Sequence, residues 1–115
     1  MKYDEDLEKY IYEYEDLIFA WENKPGDYFE ERVKTIAKNY YDNFDKIVIF
    51  IKSNIEDIFD NVTEEVVKNK LGKPIINYEI GMVTYCEQTF DSIHTFDFEF
   101  IDDNFEEIYN FSMDG

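Results

Sequence analysis

The sequence predicts an α+β fold in which N-terminal helices pack on a C-terminal antiparallel β-meander of about four strands. Three observations predict it. Apolar residues between Asp4 and Leu71 recur at helical spacing, whereas after Lys73-Pro74 the period changes to two. Glycine and proline stand at the joints, as Pro25-Gly26 and Gly72-Lys73-Pro74. Finally, 115 residues with 44% hydrophobic and 19% aromatic content suffice for one domain with one core. The predicted boundaries are residues 4–71 for the helical part and 75–113 for the meander.

In the first segment Leu7, Ile11, Tyr14, Ile18 and Trp21 form a helical stripe, widened by Tyr10 and Leu17, behind a capping Asp4. Lys24-Pro25-Gly26 ends it. Asp27 with Glu30 resembles a capping box for a second helix carrying Phe29, Val33, Ile36, Ala37, Tyr40 and Phe44. Ile47 to Ile51 is an apolar run that suits a buried strand or a helix interior. A helical reading with a break is preferred, because Ser53 and Glu56 form a capping box for a new start. Thr63 caps a short helix ending at Leu71, with Gly72 in the C′ position.

The strand signals follow. Residues 75–79 and 82–87 form a hairpin across Ile80-Gly81. Thr95 to Ile101 sets Phe96, Phe98 and Phe100 on one face and Thr95, Asp97 and Glu99 on the other. Asp102-Asp103-Asn104 turns the chain. Tyr109, Phe111 and Met113 then alternate with Ile108, Asn110 and Ser112.

Charge bounds the function. The net charge is −17. Residues 1–22 carry −6, residues 23–73 carry −1, and residues 74–115 carry −10 with no lysine or arginine at all. A folded surface of one sign repels nucleic acid and anionic membranes and attracts basic proteins. Nothing after Met1 resembles a signal peptide, no run is long enough to span a membrane, and a single cysteine forms no internal disulfide. These features point to the cytoplasm.

Motifs for catalysis are sparse. Cys86 and His94 are the only cysteine and histidine, and with Asp97 they suggest a nucleophile, base and orienter. The alternative is a small buried hydrophobe and a histidine at a strand start. No zinc spacing and no phosphate-binding glycine loop occurs, so no cofactor is expected. Asp102, Asp103, Glu106 and Glu107 lack the EF-hand pattern and read as a solvated turn. Tyr12, Phe19 and Tyr41 fall off the predicted apolar faces, marking either a protein-binding region or a core that takes both helix faces.

The C-terminal stretch LGKPIINYEIGMVTYCEQTFDSIHTFDFEFIDDNFEEIYNFSMDG resembles, over about residues 62–115, the small acidic immunity proteins of bacterial polymorphic and contact-dependent toxin systems. The resemblance implies a non-enzymatic role and one cognate toxin. It transfers no specific residue. The charge reading supplies the candidate contacts with a basic toxin, a nuclease first among them: Glu87, Asp91, Asp97, Glu99, Asp102, Asp103, Glu106 and Glu107. The alternative is a phage-type mimic of DNA phosphates.

Overall fold

A computed structural model describes residues 1–115. Ten elements follow in order: β1 (Lys2–Asp4), β2 (Lys9–Tyr14), β3 (Leu17–Trp21), α1 (Phe29–Asp42), α2 (Phe44–Ile55), α3 (Glu64–Lys70), β4 (Ile75–Asn77), β5 (Met82–Tyr85), β6 (Thr95–Phe100) and β7 (Ile108–Asp114). The strands form one seven-stranded sheet in sequence order. Every pair is antiparallel except β3–β4, which is parallel. A parallel pair needs a crossover, and the three helices supply it.

The α+β class stands, but the predicted layout does not. The helices occupy the middle of the chain, with strands at both ends. The sheet has seven strands, against the predicted C-terminal meander of about four, because the N-terminal segment contributes three of them. Residues 4–22, expected as a helix, form the β1–β2–β3 meander instead. Tyr10, Tyr12 and Tyr14 alternate, and β-branched and aromatic residues fill both strands, which suits a pleated surface better than a helix. The reversal falls at Glu15 and Asp16, whose φ angles are +49° and +64°. Positive φ at both central residues is the geometry of a type I′ hairpin turn. Neither residue is glycine, so the turn carried no obvious mark. Asp4 does accept from the backbone N–H of Leu7 at 2.9 Å, but it shapes a turn there and caps no helix.

The helices follow the apolar spacing. Val33, Ile36, Ala37 and Tyr40 of α1 are buried, as are Ile47, Val48, Ile51 and Ile55 of α2. The Asp27–Glu30 box is not used, since Tyr28 occupies the N-cap of α1 with φ 70°. The Ser53–Glu56 cap is not used either. Ser53 lies inside α2, where its Oγ donates to the Phe50 carbonyl at 2.7 Å. The break comes earlier, at Asn43, between α1 and α2. Thr63 caps α3 through Val66 N–H at 3.1 Å. Gly72 follows with φ +74°.

All three helices and one face of the sheet share a single core. Leu17, Phe19 and Trp21 of β3 join Ile76, Val83, Tyr85, Phe96, Phe98 and Phe100 from β4–β6. Tyr40 and Tyr85 share a buried hydroxyl–hydroxyl hydrogen bond of 2.6 Å. Tyr12 and Phe19, expected to fall outside the apolar faces, point into this core, Tyr12 packing edge-on to Phe29. Tyr41, left open between the two readings, is exposed. The opposite sheet face carries no helix.

Candidate functional site

The strand registers define that uncovered face. Thr84 pairs with Asp97, and Asp97 with Ser112. Met82 pairs with Glu99, and Glu99 with Tyr109. Alternation along β6 sends Phe96, Phe98 and Phe100 to the core and leaves Asp97 and Glu99 on the open side. The two faces of β6 are those the sequence predicts.

On β7 the predicted alternation fails. Two steps along β6 lead from Asp97 to Glu99, while three steps along β7 lead from Ser112 back to Tyr109. The extra residue is a β-bulge at Asn110, where φ is +52°. The bulge turns Tyr109 to the open face, while Phe111 and Met113 remain against the core. Asn110 Nδ2 donates to Glu99 at 2.7 Å, tying the bulge to the acid opposite.

The eight predicted contact residues do not form one patch. Glu99, Asp102, Asp103, Glu106 and Glu107 lie at the end where β6 passes into β7. Glu87 and Asp91 lie in the β5–β6 loop, at the start of β6, about 17 Å away at the rise of a strand. Asp97 sits between them.

The β6–β7 loop is a clamped platform and no free solvated turn. Phe105 is buried with φ +56°, its ring tilted against Phe100 at 4.6 Å and edge-on to Tyr40 at 5.8 Å. Arg32 forms two hydrogen bonds to the Asp103 carboxylate, 2.8 and 3.2 Å. Asn39 Nδ2 donates to the Asp103 carbonyl and Asn43 Nδ2 to the Asn104 carbonyl. Lys46 donates to the carbonyls of Phe105 and Glu106. The signal for this anchor was Phe105 itself, a lone ring among acids.

Ion pairing and hydrogen bonding sort the eight acids. Asp103 is taken by Arg32. Asp91 is taken by His94, whose Nδ1 lies 2.6 Å from its carboxylate. That bond, with others from Gln88 and the His94 and Ile93 amides, holds the Asp91 carboxyl down at about 2. Asp91 is therefore a loop-ordering residue. The other six, Glu87, Asp97, Glu99, Asp102, Glu106 and Glu107, form no salt bridge.

Asp97 differs from its neighbours. It is 8% exposed. Burial pushes its carboxyl up to about 6, helped by the facing Asp114, while hydrogen bonds from Thr84 and Ser112 oppose the rise. Asp114 is shifted down by its hydrogen bond with Asp97. The pair behaves as two carboxyls sharing a proton.

His94 spends Nδ1 on Asp91, and no hydrogen bond joins it to Cys86. Cys86 is exposed and so is not the buried hydrophobe expected as the alternative; partial desolvation raises its thiol, and Asp97 and Glu87 raise it further. This environment suppresses the thiolate that a nucleophile needs. No group of three or more His, Cys, Asp or Glu side chains is placed to hold a metal ion. No helix is long and apolar enough to cross a membrane. The chain matches no protein-family model, no curated protein and no solved structure.

Proposed function

We propose that this protein is a cytoplasmic immunity protein that binds and neutralises a basic protein toxin, most naturally a nuclease, through the open face and end loop of β6–β7. The observation that carries the reading is the rigid display of unpaired acids. Glu99, Asp102, Glu106 and Glu107 have no salt-bridge partner, and they stand on a strand and loop fixed from behind by Phe105, Arg32, Asn39, Asn43 and Lys46. Charges already fixed in place lose little freedom on binding and attract a cationic surface over a long range. Nuclease sites hold phosphates with lysine and arginine, so their electrostatic complement is such a platform.

A mimic of DNA phosphates needs evenly spaced acids in long rows, one charge per about 1.7 Å of duplex axis. The acids here form two groups at opposite ends of β6, which suits that role less.

Co-expression tests the proposal. Candidate nuclease toxins with basic surfaces, beginning with those from neighbouring reading frames, are expressed with and without this chain. One of them should cease to kill. Glu99→Lys combined with Glu107→Lys should restore killing while the circular dichroism spectrum stays unchanged. Protection by the reversed variant rejects this face as the site.

A further inference from the structure

The acids of the open face surround something the charge pattern alone does not reveal. Beyond the Met82–Glu99–Tyr109 row, the same registers continue. Phe100 N–H donates to the Gly81 carbonyl, and Ile101 N–H donates to the Glu107 carbonyl. Ile80, in the β4–β5 turn, and Ile101, just past β6, therefore flank the Gly81–Phe100 hydrogen bond, and Ile101 lies against Glu107. Ile80 is 63% exposed, Ile101 58% and Tyr109 40%. Met82, partly buried, completes the corner. Glu79 precedes Ile80 and Asp102 follows Ile101 in the chain, Glu99 pairs with Met82 and Tyr109, Glu107 accepts from Ile101, and no lysine or arginine lies anywhere in β4–β7. An open groove of about 430 Å³ runs beside the corner, lined by Ile80, Glu79, Asn77, Asn23 and the paired Lys9 and Glu22.

Exposed apolar residues scattered singly are ordinary on protein surfaces, but a contiguous group rimmed by polar residues marks an interaction site. An apolar centre inside a charged rim is the usual anatomy of a protein interface. The rim governs encounter rate, and the desolvated centre governs how long the complex lasts.

We propose that the corner formed by Ile80, Met82, Ile101 and Tyr109 is a docking surface for a segment of a partner protein whose apolar side chains are flanked by lysine or arginine. The proposal rests on the acidic-face reading above and adds the apolar anchor to it. Charge complementarity selects this occupant. A second copy of the chain would bring two molecules of net charge −17 together across facing rings of carboxylates.

The probe is a synthetic 18-residue peptide of leucine and lysine at helical spacing, titrated into the full ¹³C-methyl-labelled chain by NMR. Oligolysine of equal charge is the control. The leucine–lysine peptide should shift the methyls of Ile80, Met82 and Ile101 and bind at least about tenfold tighter than oligolysine, the scale of one interface anchor. Ile80→Ser with Ile101→Ser should abolish that advantage and leave oligolysine affinity unchanged. Both side chains are solvent-exposed, so the variant keeps the core. Equal binding of the two peptides, or methyl shifts elsewhere, overturns the apolar anchor and leaves the acidic reading standing. Failure of both peptides to bind removes both readings. Sedimentation showing a dimer that Ile101→Ser dissociates assigns the corner to a second copy and also overturns the proposal.

Discussion

Asp97 shows how one residue can be read correctly for position and wrongly for role. Alternation with Phe96 and Phe98 places it on the open face, as the sequence predicts. The same pattern predicts an exposed contact acid, but Thr84, Ser112 and Asp114 crowd it to 8% exposure. Period-two patterning gives the face of a strand and says nothing about its cross-strand neighbours. Burial beside Asp114 pushes the folded carboxyl up to about 6 from an ordinary 3.8, so the native pair holds this proton more tightly than the unfolded chain. Its contribution to stability is complete below the ordinary value and is lost as pH rises through the folded one. Urea unfolding of Asp97→Asn should therefore show no such loss between about pH 4 and 6.5, and a gain on the order of 2 kcal/mol over the parent at pH 7.5. Equal stability at pH 7.5 would deny the buried pair. Gly81 is a second residue-scale case. Its φ is +66°, and a Cβ there would lie 2.6 Å from the Phe100 carbonyl oxygen. Gly81→Ala should cost about 1–3 kcal/mol in the same assay, from left-handed strain together with the backbone clash.

At the scale of elements, helices and C-terminal strands were legible because each carried a periodic apolar face and conventional stops. Thr63 and Gly72 bound α3 as caps should. The β1–β3 segment was misread because Leu7, Ile11, Tyr14, Ile18 and Trp21 satisfy a spacing of three to four by coincidence, while the tyrosine alternation carried the true period. Its turn uses Glu15 and Asp16 where Asn-Gly is favoured. Replacing them by Asn and Gly should raise the urea midpoint, by about 1 kcal/mol in stability, because both positions have positive φ. The β6–β7 loop was legible as acidic and illegible as clamped, since its partners Arg32, Asn39, Asn43 and Lys46 lie more than fifty residues away in sequence. Arg32→Ala removes one of those ties at an exposed site. It should change global stability by no more than about 1 kcal/mol. Amide exchange across residues 102–107 should nonetheless accelerate, and unchanged exchange would mean that Phe105 alone holds the loop.

Across the whole molecule, a net charge of −17 on 115 residues is a standing repulsion that the aromatic core overcomes. Screening should relieve it, so stability at pH 7.5 should rise between about 20 and 500 mM sodium chloride, where the screening length falls severalfold. The same charge makes the partner question an electrostatic one. Gathering of the acids onto one surface was only half legible. The strand order placed Glu99 with the end loop and sent Glu87 and Asp91 to the far end of β6, a division that needs the topology and cannot be counted from composition. The apolar corner of Ile80, Ile101 and Tyr109 was hidden for the same reason, since the β4–β5 turn, the end of β6 and the Asn110 bulge of β7 each contribute one of its residues. The most direct test of the account is the association rate with the cognate toxin across ionic strength, for the parent and for Glu99→Lys with Glu107→Lys. The parent rate should fall steeply with salt, and the variant should be slower at low salt by about tenfold or more with a shallow slope. Identical rates and slopes for the two proteins would contradict it.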